Sequence, residues 1–529
     1  DDSTFAHNNS PENLGVQDNW QQNMLTTLYS TLDYHKNFNE AHHLNVLIGY
    51  NQESNNFSSL GGSKITFPTP NLSELNAGAS LGQTTSGTAN QWAIRSYFGR
   101  VNYNFKDKYL FEANGRYDGT SRISPQNRWG FFPSLSAGWN VTQEPFMKNI
   151  PWLQNLKLRG SWGKLGNQNV GNYPYQATLS TTSYPFNSAY PGALTTGMVD
   201  QSLQWETTAV TDFGADINVK NGLFTATFDW YNKVTDGILY NIPVPASLGL
   251  SAPTVNYGSM KNTGFEFVLG TANRLGAFGY NVSVIFSHYK NEVLKILAPS
   301  YGTTTIQEGL PFNSFYMIQW DGIFQNQAEI DKSATQPFNP KPGDLKFKDV
   351  NGDGVIDAKD RVVTPGAFPK FDYSTIINLS WKNFDLSAFI QGVYGLKATT
   401  QGLTWGLTPY IQGSPPPMDL VKHQWTGDGS TNKYPAMYIS GYGPVTGTTS
   451  TYFLLNASYV RLKNLAIGYD IPNSLSRKIG FKNIRIYVSG DNMITITKWP
   501  GSDPEKANNG WFQSYPQLIT YTFGVKVKL

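Results

Sequence analysis

Cysteine is absent from this 529-residue chain, which excludes disulfides, thiolate metal sites and cysteine nucleophiles. Long hydrophobic runs are absent too, since nothing reaches the ~18 consecutive apolar residues of a transmembrane helix. Charge is scarce: Asp, Glu, Lys and Arg make up 15% and the formal net charge is +3, too slight a surplus to suggest nucleic acid. No leader precedes the polar opening DDSTFAHNNSPENLG, so a secreted β-protein starting here reads as a mature product or a fragment. Catalytic signatures are thin, with no Walker loop, zinc-type histidine pair or dinucleotide fingerprint. His42 and His43 are adjacent beside a turn and read as surface residues. The acidic pairs lack a glycosidase spacing.

Aromatic residues, by contrast, are plentiful: 31 Phe, 30 Tyr and 14 Trp amount to 14% of the chain. A mean hydropathy of −0.37 suits a soluble protein or a transmembrane barrel equally, because only every second residue of a barrel strand meets lipid. Tyr and Trp favour the membrane interface, having an apolar body and a polar tip. Period-two alternation marks the strands. Tyr97, Gly99, Val101, Tyr103 and Phe105 share one face, with Arg100, Asn102 and Asn104 opposite. After Lys106-Asp107-Lys108, Phe111, Ala113 and Tyr117 return against Glu112, Asn114 and Arg116. The pattern recurs around Lys220-Asn221-Gly222, around Lys382-Asn383 and at Ile484, Ile486 and Val488. About fifteen such strands are expected, many near the ten residues that cross a bilayer when tilted. Short charged turns alternate with long polar, aromatic, Gly/Pro-rich segments at 166–202, 241–257, 299–369 and 395–451. That asymmetry suits an outer-membrane barrel, and such loops are too long for a compact soluble domain.

The chain ends on alternating Tyr521, Phe523, Val525, Val527 and Leu529. This ending resembles the C-terminal targeting signal of bacterial outer-membrane barrels, with Thr522, Gly524, Val527 and Leu529 in its four positions; an ordinary edge strand is the plainer alternative. Longer runs extend the likeness: LQWETTAVTDFGADI from Leu203, LFTATFDWYNKVTDGIL from Leu223, VNYGSMKNTGFEF from Val255, SYVRLKNLAIGYDIP from Ser458 and NIRIYVSGDNMITITKWPGSDPE from Asn483. Together they resemble the SusC/RagA-like family of TonB-dependent transporters of Bacteroidota. The resemblance covers nearly the whole chain but only about half of a family member. It implies an all-β, transmembrane antiparallel β-barrel of about twenty-two strands with long extracellular loops. Residues 1–529 are then expected to be its C-terminal portion, without the N-terminal extension, TonB box, plug and first strands. Some fifteen strands alone leave unpaired edges in lipid, so closing strands are expected from elsewhere.

The sharpest local motif is the run from Asp349 to Asp360. Asp349, Asn351, Asp353, Asp357 and Asp360 stand at positions 1, 3, 5, 9 and 12 of a calcium loop, with the Val355 carbonyl at 7 and Gly354 at 6. Asp rather than Glu at position 12 leaves calcium and magnesium both open, and an Asx-rich turn without metal is the alternative. In either case its expected job is to stiffen an external loop. The long segments also carry aromatics among amides, including Tyr173, Tyr175, Trp405, Tyr410 and Tyr442. These suit stacking on sugars or packing on a peptide, or else packing of loops on one another or on a lid partner.

The expected function is outer-membrane import without covalent chemistry. By resemblance, oligosaccharides or oligopeptides come from a SusD-like surface lipoprotein, and TonB, acting through the absent N-terminal region, displaces the plug. A SusC-like barrel serving as a structural or assembly component remains an alternative, as does a secreted β-rich carbohydrate-active enzyme or lectin.

Overall fold

The computed structural model describes residues 14–186, 188–399, 418–437, 448–509, 515 and 517–529. Fifteen strands make one sheet, as the alternation requires, and each pairs with the strands before and after it in the chain. They are β1 (Gly15–Phe38), β2 (His42–Ile65), β3 (Thr84–Phe105), β4 (Tyr109–Thr120), β5 (Trp129–Asn140), β6 (Leu153–Asn167), β7 (Glu206–Val219) and β8 (Phe224–Asn241). The rest are β9 (Thr254–Leu275), β10 (Phe278–Lys295), β11 (Phe371–Trp381), β12 (Phe384–Tyr394), β13 (Tyr459–Asp470), β14 (Asn483–Thr497) and β15 (Thr520–Lys528). Among the described residues β1 and β15 have one neighbour each. The residues group into two compact units: Asp1–Gly138, Ser161–Val210 and Thr235–Gly258 in the first, Trp139–Gly160, Thr211–Val234 and Ser259–Leu529 in the second.

In the first unit β1 and β2 pair without a break from Gly15↔Ile65 to Phe38↔His42. Twenty-four residues each extend ~80 Å at about 3.4 Å per residue, far beyond the ~30 Å hydrocarbon layer. These strands are therefore longer than the ten-residue expectation. An antiparallel ladder continues wherever both strands offer N–H and C=O groups, and the polar run from Asn51 to Lys64 suits water. Register confirms the two faces: Tyr97↔Tyr117, Gly99↔Gly115 and Val101↔Ala113 on one, Phe98↔Arg116, Arg100↔Asn114 and Asn102↔Glu112 on the other.

In the second unit the turn at Lys220, Asn221 and Gly222 runs through three left-handed residues (φ 48°, 58° and 85°), a conformation that Asn and Gly adopt readily. β10 to β15 follow as a meander of antiparallel pairs. The segments between β10 and β11 and between β12 and β13, read from sequence as long loops, hold folded structure of their own. A four-stranded sheet (Ser300–Tyr301, Thr304–Ile306, Ser314–Ile318 and Arg361–Thr364) lies there, with the pairs Trp320–Ile323/Leu345–Phe347 and Lys397–Thr399/Leu454–Asn456. Their apolar side chains, joined by Trp499 from the segment after β14, build a core around Ile323, Leu345, Phe347, Ile356 and Phe453. The wall shows the reverse, with Tyr521, Phe523 and Leu529 70–80% exposed. An apolar wall face is stable only where something other than water covers it.

Candidate functional site

Neighbouring strands lie ~4.8 Å apart, so a side chain that reaches past its neighbour must cross about 10 Å. Two arginines do so on the polar face of the second unit. Arg159 of β6 passes over Gly214 of β7 and clamps Asp229 of β8, Nη2 donating to Oδ2 at 2.8 Å with Nη1 2.5 Å from Oδ1. Its Nε donates to Asp216 at 3.2 Å, and Nη1 reaches Asp212 at 3.5 Å. Arg485 of β14 passes over Gly468 of β13 to Asp385 of β12, Nη2 donating to Oδ2 at 2.7 Å and Nη1 to Oδ1; Asp470 stands 3.4 Å from Nη1. A Cβ on Gly214 or Gly468 would fall onto the guanidinium, so the close approach itself demands glycine. In each case the middle strand carries Gly-x-Asp, which leaves a gap for the guanidinium and a second carboxylate beside it.

The polar face of the first unit carries two hydrogen-bonded clusters. Arg100 donates from Nε to Asn114 Oδ1 at 2.8 Å, and Asn114 donates to Glu112 at 2.7 Å and Ser134 at 3.2 Å. Arg116 donates from Nε to both Asp118 oxygens at 2.7 and 2.8 Å and from Nη2 to Ser96 at 2.8 Å, while its guanidinium lies 5.4 Å over the Phe98 ring. Phe98, Arg100, Glu112, Asn114, Arg116 and Ser134 border an open cavity of about 760 Å³. Such a surface offers paired donors and acceptors to polar material passing over it.

A further pair is fully buried. Arg461 of β13 and Asp503 are 3% and 2% exposed, with Nη2 donating to Oδ1 at 2.7 Å. Arg461 Nε donates to Thr495 at 2.8 Å, and Lys463 holds Glu505 at 2.6 Å. The segment after β14 is thereby locked to β13.

In the Asp349–Asp360 run the carboxylates serve the backbone. Asp349 accepts from the N–H groups of Gly352 at 2.7 Å and Gly354 at 2.9 Å. Asn351 accepts from Asp353 and Asp353 from Val355, at 2.9 and 3.0 Å. Asp357 accepts from Lys359 at 2.7 Å. Buried Asp360 accepts from Val350 and Asp357 at 2.8 Å and from Asn351 at 3.4 Å. Burial alone pushes the Asp360 carboxyl up, but the backbone donors outweigh it and hold the group below the usual carboxylate range. Among the described residues, no three His, Cys, Asp or Glu side chains are placed to hold a metal ion. As folded, the loop is a self-satisfied chain of Asx turns.

Residues 1–493 match the TonB dependent receptor-like, beta-barrel family. The chain belongs to that family. TonB-dependent receptor P3 of Formosa agariphila is 30% identical over 556 residues, covering 100% of this chain and 53% of that protein. TonB-dependent receptor SusC of Bacteroides thetaiotaomicron is 29% identical over 84% of this chain and 44% of its own length. Among solved structures, the RagAB peptide importer in its open-open state superposes with a TM-score of 0.83 at 25% identity, over 97% of this chain and 56% of that one. The chain therefore spans about half the length of the relatives it matches, and the SusC/RagA-like resemblance holds.

As part of a TonB-dependent receptor barrel of the outer membrane, the chain turns its apolar wall face to lipid and its polar face to the lumen; it is a receptor barrel, not an enzyme. Although no Gly-x-Ser-x-Gly elbow was expected from the sequence, Gly78-Ala79-Ser80-Leu81-Gly82 spells its letters. It lies in the turn before β3, without the strand and helix that an elbow requires.

On the terminal strand, Thr522, Gly524 and Val527 pair with Ser489, Tyr487 and Ile484. Gly524 takes the Tyr487 ring directly over its Cα, where a Cβ would collide. Val527 and Leu529 fall on the lipid face with Phe523 and Val525, all exposed. Tyr173, held at φ 60°, donates its hydroxyl to Gln91 O at 2.7 Å, and Tyr175 donates to Ser121 O at 3.5 Å. Both hydroxyls thus tie their segment to β3 and to the turn after β4. Trp405, Tyr410 and Tyr442 lie outside the described residues. Asp419 gathers Lys433 and the Tyr434 hydroxyl at 2.7 Å and His423 at 2.8 Å. Lys433, with Tyr434 and His423, brings its carboxyl down to about 2.

The arginine bridges and the Arg461–Asp503 pair escaped the sequence reading. The signal of the two bridges was there, a Gly-x-Asp on the polar face of a strand with an arginine on the next one, but it has meaning only once register is known.

Proposed function

We propose that this chain is the C-terminal part of the barrel of a SusC-like importer, which carries oligosaccharides or oligopeptides across the outer membrane. The observation that carries this is the hydrogen-bonded lumenal face of a TonB-dependent receptor barrel, lined with paired charges rather than with a catalytic constellation. Among the described residues β1 and β15 each leave one edge unpaired, which supports further strands from the rest of a longer protein, because an unpaired backbone group in lipid costs several kcal/mol. That remainder would also supply a plug and a TonB-contacting segment. A SusD-like surface lipoprotein is proposed over the external loops, whose folded core suits a rigid rim. The RagAB importer moves peptides, which makes oligopeptides one of the two ligand classes.

A divalent cation, Ca²⁺ or Mg²⁺, is proposed for the Asp349–Asp360 loop only on rearrangement of its Asx turns. Each carboxylate has lone pairs left after accepting a backbone N–H. The importer reading is tested by deleting the gene and following uptake of labelled oligosaccharide and oligopeptide pools. Loss of uptake of one pool, reproduced by removing TonB, is the expected result. Unchanged uptake, with the protein recovered in a stable complex, would favour a structural role instead.

A further inference from the structure

The lipid face of the first unit carries a vertical strip whose chemistry changes in steps. At the end of the wall near the Lys106–Lys108 turn, His42, Phe105 and Tyr109 cluster, with centroids 4.7 Å (His42–Phe105) and 6.3 Å (Phe105–Tyr109) apart. Four residues up β3 from Phe105, Val101 pairs with Ala113, and then Gly99 pairs with Gly115. While the Phe131 ring covers Gly115, 3.3 Å from where a Cβ would stand, Gly99 leaves a bare stretch of backbone. Leu32, Ile48, Val101 and Phe131 stand around it and make an apolar groove of about 920 Å³. Above the groove Tyr50, Tyr97, Tyr117 and Trp129 form a second aromatic cluster: Tyr97 lies 5.4 Å from Tyr50, and Trp129 stacks on Tyr117 at 4.9 Å. The Trp129 indole lies flat on Gly119, where a Cβ would meet it at 2.7 Å.

Directly above Tyr97 the strip turns basic. A recess of about 250 Å³ contains Arg95 and Arg128 with Thr120, Ser121 and Gln52, and no acidic residue lines it. Among the described residues no carboxylate pairs with Arg95 or Arg128, and Arg128 Nε is buried without a hydrogen-bond partner. Phe105 to Arg95 is ten residues, about 34 Å along a strand and roughly 26 Å in height at barrel tilt, the thickness of the apolar band of an outer-membrane barrel. The two arginines therefore sit at the headgroup level of the leaflet on the side of the longer loops, which is the outer one.

We propose that this strip binds one phosphate-bearing lipid of the outer leaflet. Its phosphate sits between Arg95 and Arg128, its glycerol or sugar region passes the Tyr97–Trp129 belt, and an acyl chain lies in the groove over Gly99, beside the Phe131 ring. Charge complementarity selects the head, since two arginines without carboxylates meet an anion. The chain is selected by the continuity of the groove with the lipid-facing wall. The inference needs only the outer-membrane barrel, not the transported substrate, so it stands or falls separately from the importer reading.

The test is native mass spectrometry of the full-length, delipidated protein in detergent, titrated with dimyristoyl phosphatidic acid, dimyristoylglycerol and inorganic phosphate. Phosphatidic acid should bind one to one and about tenfold or more tighter than dimyristoylglycerol, since each charge-assisted contact is worth roughly a factor of ten. R95Q/R128Q should abolish that preference. G99L should weaken both lipids, because its side chain fills the groove; its Cβ would meet Leu47 O at 3.4 Å and Ile48 Cγ2 at 3.9 Å, ordinary contacts. G99A provides a milder second variant, and heat-modifiable gel migration reports whether each protein is folded. Equal binding of phosphatidic acid and dimyristoylglycerol to the wild type would overturn the proposal, as would unaltered preference in R95Q/R128Q. So would phosphatidic acid binding that inorganic phosphate competes away and G99L leaves intact, which would mark a free-anion site.

Discussion

The crossing of Arg485 over Gly468 allows a prediction in which the sign of a stability change does the deciding. Val has a higher strand propensity than Gly, so Gly468→Val in a strand interior should by itself stabilise by roughly 0.5–1 kcal/mol. In this barrel the new Cβ falls on the Arg485 guanidinium and must push it off Asp385. The bridge is bidentate, but its side chains are 29% and 35% exposed. Its worth therefore lies between the ~0–1 kcal/mol of a surface pair and the 3–5 kcal/mol cost of breaking a buried one, at about 1.5–2 kcal/mol. The net expectation is a loss of about 1 kcal/mol. In an Arg485→Leu background there is no guanidinium to displace, and the same Gly468→Val change should stabilise by roughly 0.5–1 kcal/mol. Equilibrium unfolding of the full-length protein in urea with lipid vesicles, followed by tryptophan fluorescence, gives both values. If Gly468→Val shifts the midpoint in the same direction in both backgrounds, the close-approach argument is wrong.

Asp503→Ala should cost about 3 kcal/mol by the same assay, because it removes the buried carboxylate hydrogen-bonded to the buried Arg461; a loss under ~1 kcal/mol would mean that Glu505, already 3.2 Å from Nη1, is enough to hold the charge. Gly524→Val should lower the yield of folded, heat-modifiable barrel, since Tyr487 occupies the space of its side chain, and Tyr487→Ala should restore it. Asp360 is held below the ordinary carboxylate value, so its contribution is complete above about pH 4 and fades as pH falls through the depressed value. Hydrogen exchange of amides 350–357 should accelerate on acidification in that window, and Asp360→Asn should flatten the response. Terbium luminescence with Ca²⁺ and Mg²⁺ competition tests the cation proposal: a signal lost in Asp349→Asn is expected, and no signal in the wild type would dismiss it.

How legible the wall was is clearest at Tyr97 to Tyr117. Alternation assigned the residues there to two faces, with Leu110 the exception to the apolar/polar pattern, because successive strand side chains point to opposite sides whatever the strand's neighbours are. The turns at Lys106–Lys108 and Lys220–Gly222 were readable for the same local reason, as their residues tolerate the left-handed conformations found. The long segments were not. Ile323, Leu345, Phe347 and Phe453 have no periodic pattern to betray them, and they form a core only when segments about a hundred residues apart meet. In the acidic loop, spacing revealed a cation pattern, whereas folding turned the same oxygens toward backbone N–H groups.

The sequence by itself determined the class: strands, two faces, an outer-membrane barrel and its family, all of which follow from local alternation and from motifs readable in order. Only the tertiary structure decided which charges meet. Arg159 finds Asp229 and Arg485 finds Asp385 across an intervening strand, through gaps left by single glycines. That outcome depends on register and on a ~10 Å reach between strands, neither of which is written in any one segment.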